Sequence, residues 1–213
     1  MSLSFSLPAC ARTSSLATVK FGDNAREALI KALKAKLDAR SYRMKLVQVS
    51  SVGMSSTQEG EYVAPDRYHL TAEASMNGRS SGKQEMIVVG QQAYAKTPGG
   101  KWQKAQVDPQ KLEFMRSRDQ MLLENLSKSP DDYVKFSGGV QDGMQAFVYE
   151  QTIAADPKIL TRGKTTTWVG TADGLPRKVE IVADTDFDGK PLTLTSTTTY
   201  YDYNADIKIE APL

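Results

Sequence analysis

Between Arg67 and Met76 the chain alternates with a period of two. Tyr68, Leu70, Ala72, Ala74 and Met76 fall on one parity, and Arg67, His69, Thr71, Glu73 and Ser75 on the other. Successive side chains of a strand point to opposite faces, so this segment is a strand with one apolar and one wet face. Asn77-Gly78 follows at once and supplies the left-handed backbone of a two-residue hairpin turn. The same grammar recurs along the chain. Pro65-Asp66, Pro98-Gly99-Gly100, Gly138-Gly139, Asp142-Gly143, Asp173-Gly174 and Asp188-Gly189 punctuate runs rich in Val, Ile, Thr and Tyr. Strands are expected near 42–51, 57–64, 67–76, 82–90, 92–97, 101–105, 132–138, 144–154, 163–171, 175–184, 191–202 and 207–210. Connections this short join neighbouring antiparallel strands, which predicts a meander.

Two stretches break the pattern. Asn24-Ala25-Arg26-Glu27 has the form of a helix-start capping box, and Ala25, Ala28, Leu29, Ala32, Leu33 and Leu37 then recur at helical spacing. This predicts an amphipathic helix over about residues 24–40. Asp108-Pro109 opens a second helix carrying Leu112, Met115, Leu122 and Leu126, and Pro130 closes it. An α+β architecture follows, with one large antiparallel sheet and helices gathered on one face. So many strands exceed what a flat sheet holds, so strong curvature is expected.

The chain has 213 residues, enough for a sizeable core without staples, and reads as one domain over 23–213. Its 27 basic and 25 acidic residues leave a formal charge of +2, which gives no field suited to nucleic acid. It has 1 histidine and 1 cysteine, which exclude a His-rich or Cys₄ metal site and an internal disulfide. No run reaches the roughly 18 apolar residues of a membrane-spanning helix. The cysteine lies in Leu7-Pro8-Ala9-Cys10, the order of a bacterial lipobox, in which Cys10 is the acylated residue. Residues 1–22 are accordingly expected to be a signal remnant with its lipobox, followed by a small, polar tether.

Motifs with catalytic precedent do not survive their context. Gly78-Arg79-Ser80-Ser81-Gly82 matches G-x-S-x-G, but it sits in a hairpin rather than a strand-to-helix elbow. His69, the one possible base, faces the wet side. Asp184, Asp186 and Asp188-Gly189 match the opening of a calcium loop, yet its twelfth position is Thr195 rather than glutamate. Glu73 stands about 13 Å along the strand from His69, too far to share a metal with it. Asn125-Leu126-Ser127 is a sequon with meaning only in a eukaryotic secretory setting. The chain is expected to be no enzyme and to need no cofactor.

Several strands are apolar on both parities. Met44 and Leu46 oppose Val47 and Val49, Met86 and Val88 oppose Ile87 and Val89, and Phe147 and Tyr149 oppose Ala146 and Val148. Such a strand is covered on both faces, or one face lines a cavity. The chain has 8 methionines, and methionine suits both gap-filling in a core and an adaptable binding surface.

Three further segments carry a resemblance. Tyr62-Val63-Ala64-Pro65-Asp66-Arg67-Tyr68 resembles the early strand–proline–strand hairpin of the LolA-like lipoprotein-carrier superfamily. Trp168-Val169-Gly170, with Asp173-Gly174-Leu175-Pro176-Arg177-Lys178-Val179-Glu180, resembles its later hairpin. Tyr203-Asn204-Ala205-Asp206-Ile207-Lys208-Ile209-Glu210-Ala211-Pro212 is similar to its ending. The lipobox brings the chain nearest the lipid-carrying LppX/LprG lipoprotein branch. The resemblance implies a half-barrel of about 11 strands whose concave face is covered by two or more helices. It also implies non-enzymatic carriage of lipid or acyl chains in the bacterial envelope, periplasmic or at the outer surface. Expected partners are a lipid or acylated ligand, an envelope transport protein, and the membrane through the Cys10 anchor. The cavity-lining residues expected on this basis are Met44, Leu46, Leu70, Met86, Val88, Leu112, Met115, Leu122, Phe147 and Trp168. The competing reading is an envelope interaction or sensor module with the same fold and a filled core.

Overall fold

The structure, a computed structural model, describes residues 24–106, 109–141, 143–153, 162–187 and 190–212. Cys10 and the proposed tether lie outside these residues. Helix α1 (Ala25–Leu37) starts where Asn24 accepts a hydrogen bond from the Arg26 amide at 2.9 Å. The strands follow as β1 (Ser41–Ser50), β2 (Met54–Val63), β3 (Arg67–Met76), β4 (Arg79–Ser80), β5 (Gln84–Val89), β6 (Gln92–Lys96) and β7 (Gln103–Ala105). Helix α2 (Pro109–Lys128) comes next. The remaining strands are β8 (Val134–Gln141), β9 (Met144–Ile153), β10 (Arg162–Gly170), β11 (Pro176–Phe187) and β12 (Lys190–Tyr201). At the Asn77-Gly78 turn both residues have positive φ, 51° and 77°, as the hairpin requires.

All of these strands form one 12-stranded sheet in the order β7-β6-β5-β3-β2-β1-β12-β11-β10-β9-β8, with β4 paired to β3 off that path. Every described pairing is antiparallel. Two meanders therefore meet where β1 pairs β12, and the sheet is open, with β7 and β8 as its edges. The chain passes from one edge to the other through α2. The expected α+β half-barrel describes this architecture.

Helix α1 packs on one face of the second meander. Leu29 and Ala32, 1% and 3% exposed, join Leu126, Val134, Phe147, Tyr149 and Val169 in one core cluster. Arg26 fixes the two helices together by donating to the Ser129 carbonyl at 2.5 Å and pairing with Asp131 at 2.7 Å. The Ser129 carbonyl lies just past the end of α2, where no further helical amide follows to bond it, so a guanidinium suits it.

The C-terminal segment departs from expectation. Residues 207–210 are extended but pair with no strand. They cross the opposite face of β2, β3, β5 and β6, where Ile207 and Ile209 bury Ile87 and Tyr94, with Val63, Val89 and Trp102 alongside. Arg67 holds the segment by donating to the Ile209 carbonyl at 2.7 Å. Alternation produced the strand reading, but the period here serves side-chain packing onto a sheet rather than a ladder. This segment explains why β5 is apolar on both faces. In β1 the second face is not covered in the same way: Val49 is 51% exposed.

Candidate functional site

On β1 the even residues Tyr42, Met44 and Leu46 share one face. Register sets Met44 beside Gly60 on β2 and Tyr200 on β12, and Leu46 beside Gln58 and Thr198. The same face runs on from Thr198 to Val179, Thr167 and Tyr149, so it is the face against which α1 packs. Toward the other edge it carries Tyr62, Tyr68, Leu70 and Met86. Lys36 and Leu37 at the end of α1, with Asp119 of α2, complete a cavity of about 380 Å³ with these strand residues. Gly60 sets its width. A Cβ there would stand 3.0 Å from both Leu70 Cδ2 and Met44 Cε, so the absent side chain is what lets these two meet across β2.

One end of the cavity is polar. Lys36 is 3% exposed and pairs with Asp119 at 2.6 Å. Its ammonium also lies 4.2 Å from the Tyr200 ring centroid and 5.2 Å from that of Tyr42. Burial disfavours this cation, but Tyr200, Tyr42 and the Asp119 carboxylate more than offset it and hold the lysine pKa above its ordinary value. Tyr42 stacks on with Tyr62 at 4.9 Å and Tyr203 at 5.8 Å, and Tyr62 with Tyr68 at 5.1 Å. Burial pushes the Tyr42 and Tyr203 hydroxyls well above the usual tyrosine range. Beyond this end Met44, Leu46, Leu70 and Met86 give the lining its apolar part, with Gln58, Glu61 and Thr198 as polar positions among them.

A second cavity of about 480 Å³ lies further along the same strands, lined by Gln48, Ser50, Met54, Ser55, Ser56, Ala74, Ser75, Met76, Arg79, Ser80, Ser81 and Leu194.

Of the residues expected from sequence to line a cavity, the structure brings Met44, Leu46, Leu70 and Met86 together here. Val88 shares their face but is 0% exposed, packed with Ala93, Tyr68, Met86 and Ala105. Phe147 is also on that face, but α1 fills the space above it. Trp168 is a correction. It pairs across strands with Val148 and Lys178, on the face opposite Thr167 and Val169, and the Lys178 ammonium sits 4.4 Å from its ring centroid. Leu122 is 52% exposed and turned to solvent. Leu112 and Met115 belong to α2, and their side chains lie outside the described residues.

Sequence reasoning missed Lys36, Asp119 and the tyrosines. The available signal was the spacing of Leu29, Ala32 and Lys36, which sets a lysine on the buried stripe of α1. Two motifs resolve into structure. Ser80 of the G-x-S-x-G match bonds the Glu73 carboxylate within the β3–β4 hairpin, and Asp184 of the aspartate run accepts from Arg162 and Thr193. His69 lies on the face opposite the cavity, 3.4 Å from Glu61 and 3.7 Å from Glu85.

The likeness to known proteins is one of fold, in line with the LolA-like fold that the three sequence segments suggested. Among solved structures it is similar to LprF from Mycobacterium bovis, at 16% identity over 88% of this chain and 96% of that one, with a TM-score of 0.57. It also aligns with the LolA superfamily protein NE2245 from Nitrosomonas europaea, at 11% identity over 87% of this chain and 95% of that one. The TM-score of 0.33 makes that second overlap loose. No family model and no curated protein matches the sequence.

Proposed function

We propose that this protein binds lipid or acyl chains non-covalently in the bacterial cell envelope, as a carrier rather than an enzyme. The observation that carries the reading is the cavity of about 380 Å³ walled by Met44, Leu46, Leu70 and Met86. In this reading α1 and α2 cover the concave face of the half-barrel and keep water from the bound chain. Each methylene moved from water into the cavity contributes about 0.8 kcal/mol. Methionine at two of the five aliphatic wall positions suits a surface that must fit chains of varied shape. The likeness to LprF supports the fold on which the reading depends. Acylation of Cys10 would tether the domain to a membrane, and a transport protein of the envelope would load or receive the lipid.

Native mass spectrometry of protein purified without detergent tests this, followed by lipid extraction of the denatured sample. A stoichiometric co-purifying lipid is expected. A bare mass, together with no uptake of a fluorescent fatty acid or of added phospholipid, would overturn the carrier reading and leave an interaction module.

A further inference from the structure

The two cavities lie in succession along β1, β2 and β3. On β1, Gln48 and Ser50 of the second cavity continue the face of Leu46 in steps of two residues. On β3, Ala74 and Met76 continue the face of Leu70 in the same steps. Between them stand Ala72 on β3, small, apolar and exposed, and beside it on β2 Gln58, a flexible polar side chain, so no bulky apolar or charged group on these two strands divides the two. From Tyr42 to Ser50 the floor runs eight strand steps, about 26 Å. That is close to the roughly 30 Å hydrocarbon thickness of a whole bilayer, and well beyond the half of it that chains of one leaflet span.

The two ends differ in charge. At the closed end the Lys36 cation is already paired with Asp119. At the other end Arg79 is exposed and is the one charged residue lining the second cavity. Among the described residues it forms no ion pair. Serine hydroxyls surround it, and Met76, 57% exposed, adds apolar surface at the rim. A guanidinium at a wet rim over an apolar floor suits a planar or tetrahedral oxyanion, which keeps its charge in water while its chain is buried. The reverse orientation would press an anion against the Asp119 carboxylate.

Building on the lipid-binding reading, we propose that the ligand is a long-chain anionic amphiphile. Its acid group, a carboxylate or a phosphate, rests on Arg79. Its chain runs past Ala72 and ends between Met44 and Met86.

The test uses the delipidated full chain and displacement of a fluorescent fatty acid. The probes are saturated fatty acids of about ten to about twenty carbons, their methyl esters, and lysophosphatidic acid. Affinity is expected to rise about fourfold per added methylene and to keep rising to about eighteen carbons. Ala72→Phe, at an exposed position, should bring that limit down to about ten carbons and leave short chains unaffected. The acid should bind about fivefold more tightly than its methyl ester, and Arg79→Gln should erase that difference. A phosphate source is indicated if lysophosphatidic acid outbinds the fatty acid of equal chain length, and a carboxylate source if it does not. A plateau at about ten carbons in the unaltered protein, or equal binding of acid and ester, would overturn the proposal while leaving the lipid reading intact. Failure of every acid and ester to bind would overturn both.

Discussion

Removing the Asp119 carboxylate should destabilise this protein more than removing the lysine it pairs with. The pair is asymmetric: the Lys36 side chain is 3% exposed and that of Asp119 20%. Breaking a buried pair by deleting one partner costs about 3–5 kcal/mol, because the remaining charge is stranded out of water. In Asp119→Ala the stranded charge is the ammonium. The rings of Tyr200 and Tyr42, 4.2 and 5.2 Å away, still face it and recover about 1 kcal/mol. A net loss of about 2–4 kcal/mol is expected. In Lys36→Met the aliphatic stem is replaced nearly in place, and the partly exposed carboxylate turns to water, so the loss should be about 1 kcal/mol. The double variant leaves no stranded charge and should stand within about 1 kcal/mol of the parent, a coupling of about 2–5 kcal/mol. Urea unfolding reads these values from midpoints, provided the slope is unchanged between variants. If Asp119→Ala alone falls within about 0.5 kcal/mol of the parent, the ammonium is not held by that carboxylate and the electrostatic account of the cavity end is wrong.

Leu29→Ala, at a side chain 1% exposed in the cluster joining α1 to the sheet, should cost about 3 kcal/mol, read from the same urea midpoints. Deleting residues 206–213 should uncover Ile87 and Tyr94, costing about 3–6 kcal/mol for the two buried isoleucines and raising the fluorescence of a hydrophobic dye. Stability should fall in alkali. Tyr42 and Tyr203 keep their protons above the ordinary value of 10.0, so the native state binds more protons than the unfolded chain once the pH passes that value. Each such group costs about 1.4 kcal/mol per pH unit there, and Lys36, raised above 10.5, adds a loss of the same sign beyond that pH. Tyr42→Phe should flatten this slope by one group's share, and an unchanged slope would show that its hydroxyl titrates alike in both states.

Much of the architecture was readable from local pattern. The strand expected at 67–76 is β3, residue for residue, because alternation and the Asn77-Gly78 turn fix both its phase and its end. The helices expected at 24–40 and between Asp108 and Pro130 appear as Ala25–Leu37 and Pro109–Lys128. The failures are of a different kind. Residues 207–210 have a strand's period without a strand's partner. Phe147 and Val88 lie on the expected face, yet other side chains fill the space beside them, which no periodicity reports. Trp168 has the size of a lining residue and the wrong parity within β10, since Thr167 and Val169 carry the helix-facing side.

The sequence by itself determined the antiparallel meander, the two helices and which strands are apolar on one parity and which on both. These depend on neighbours a few residues apart and on turns that few residue types can make. Only the tertiary structure decided which parity faces a cavity, which is covered by α1, and which by the C-terminal segment. The same holds for the cavity's one buried ion pair among the described residues. Lys36 and Asp119 are 83 positions apart, and the chain brings them within 2.6 Å only by packing α2 against α1. Such a contact leaves no local trace, because what stabilises it is shared burial and charge rather than spacing along the chain.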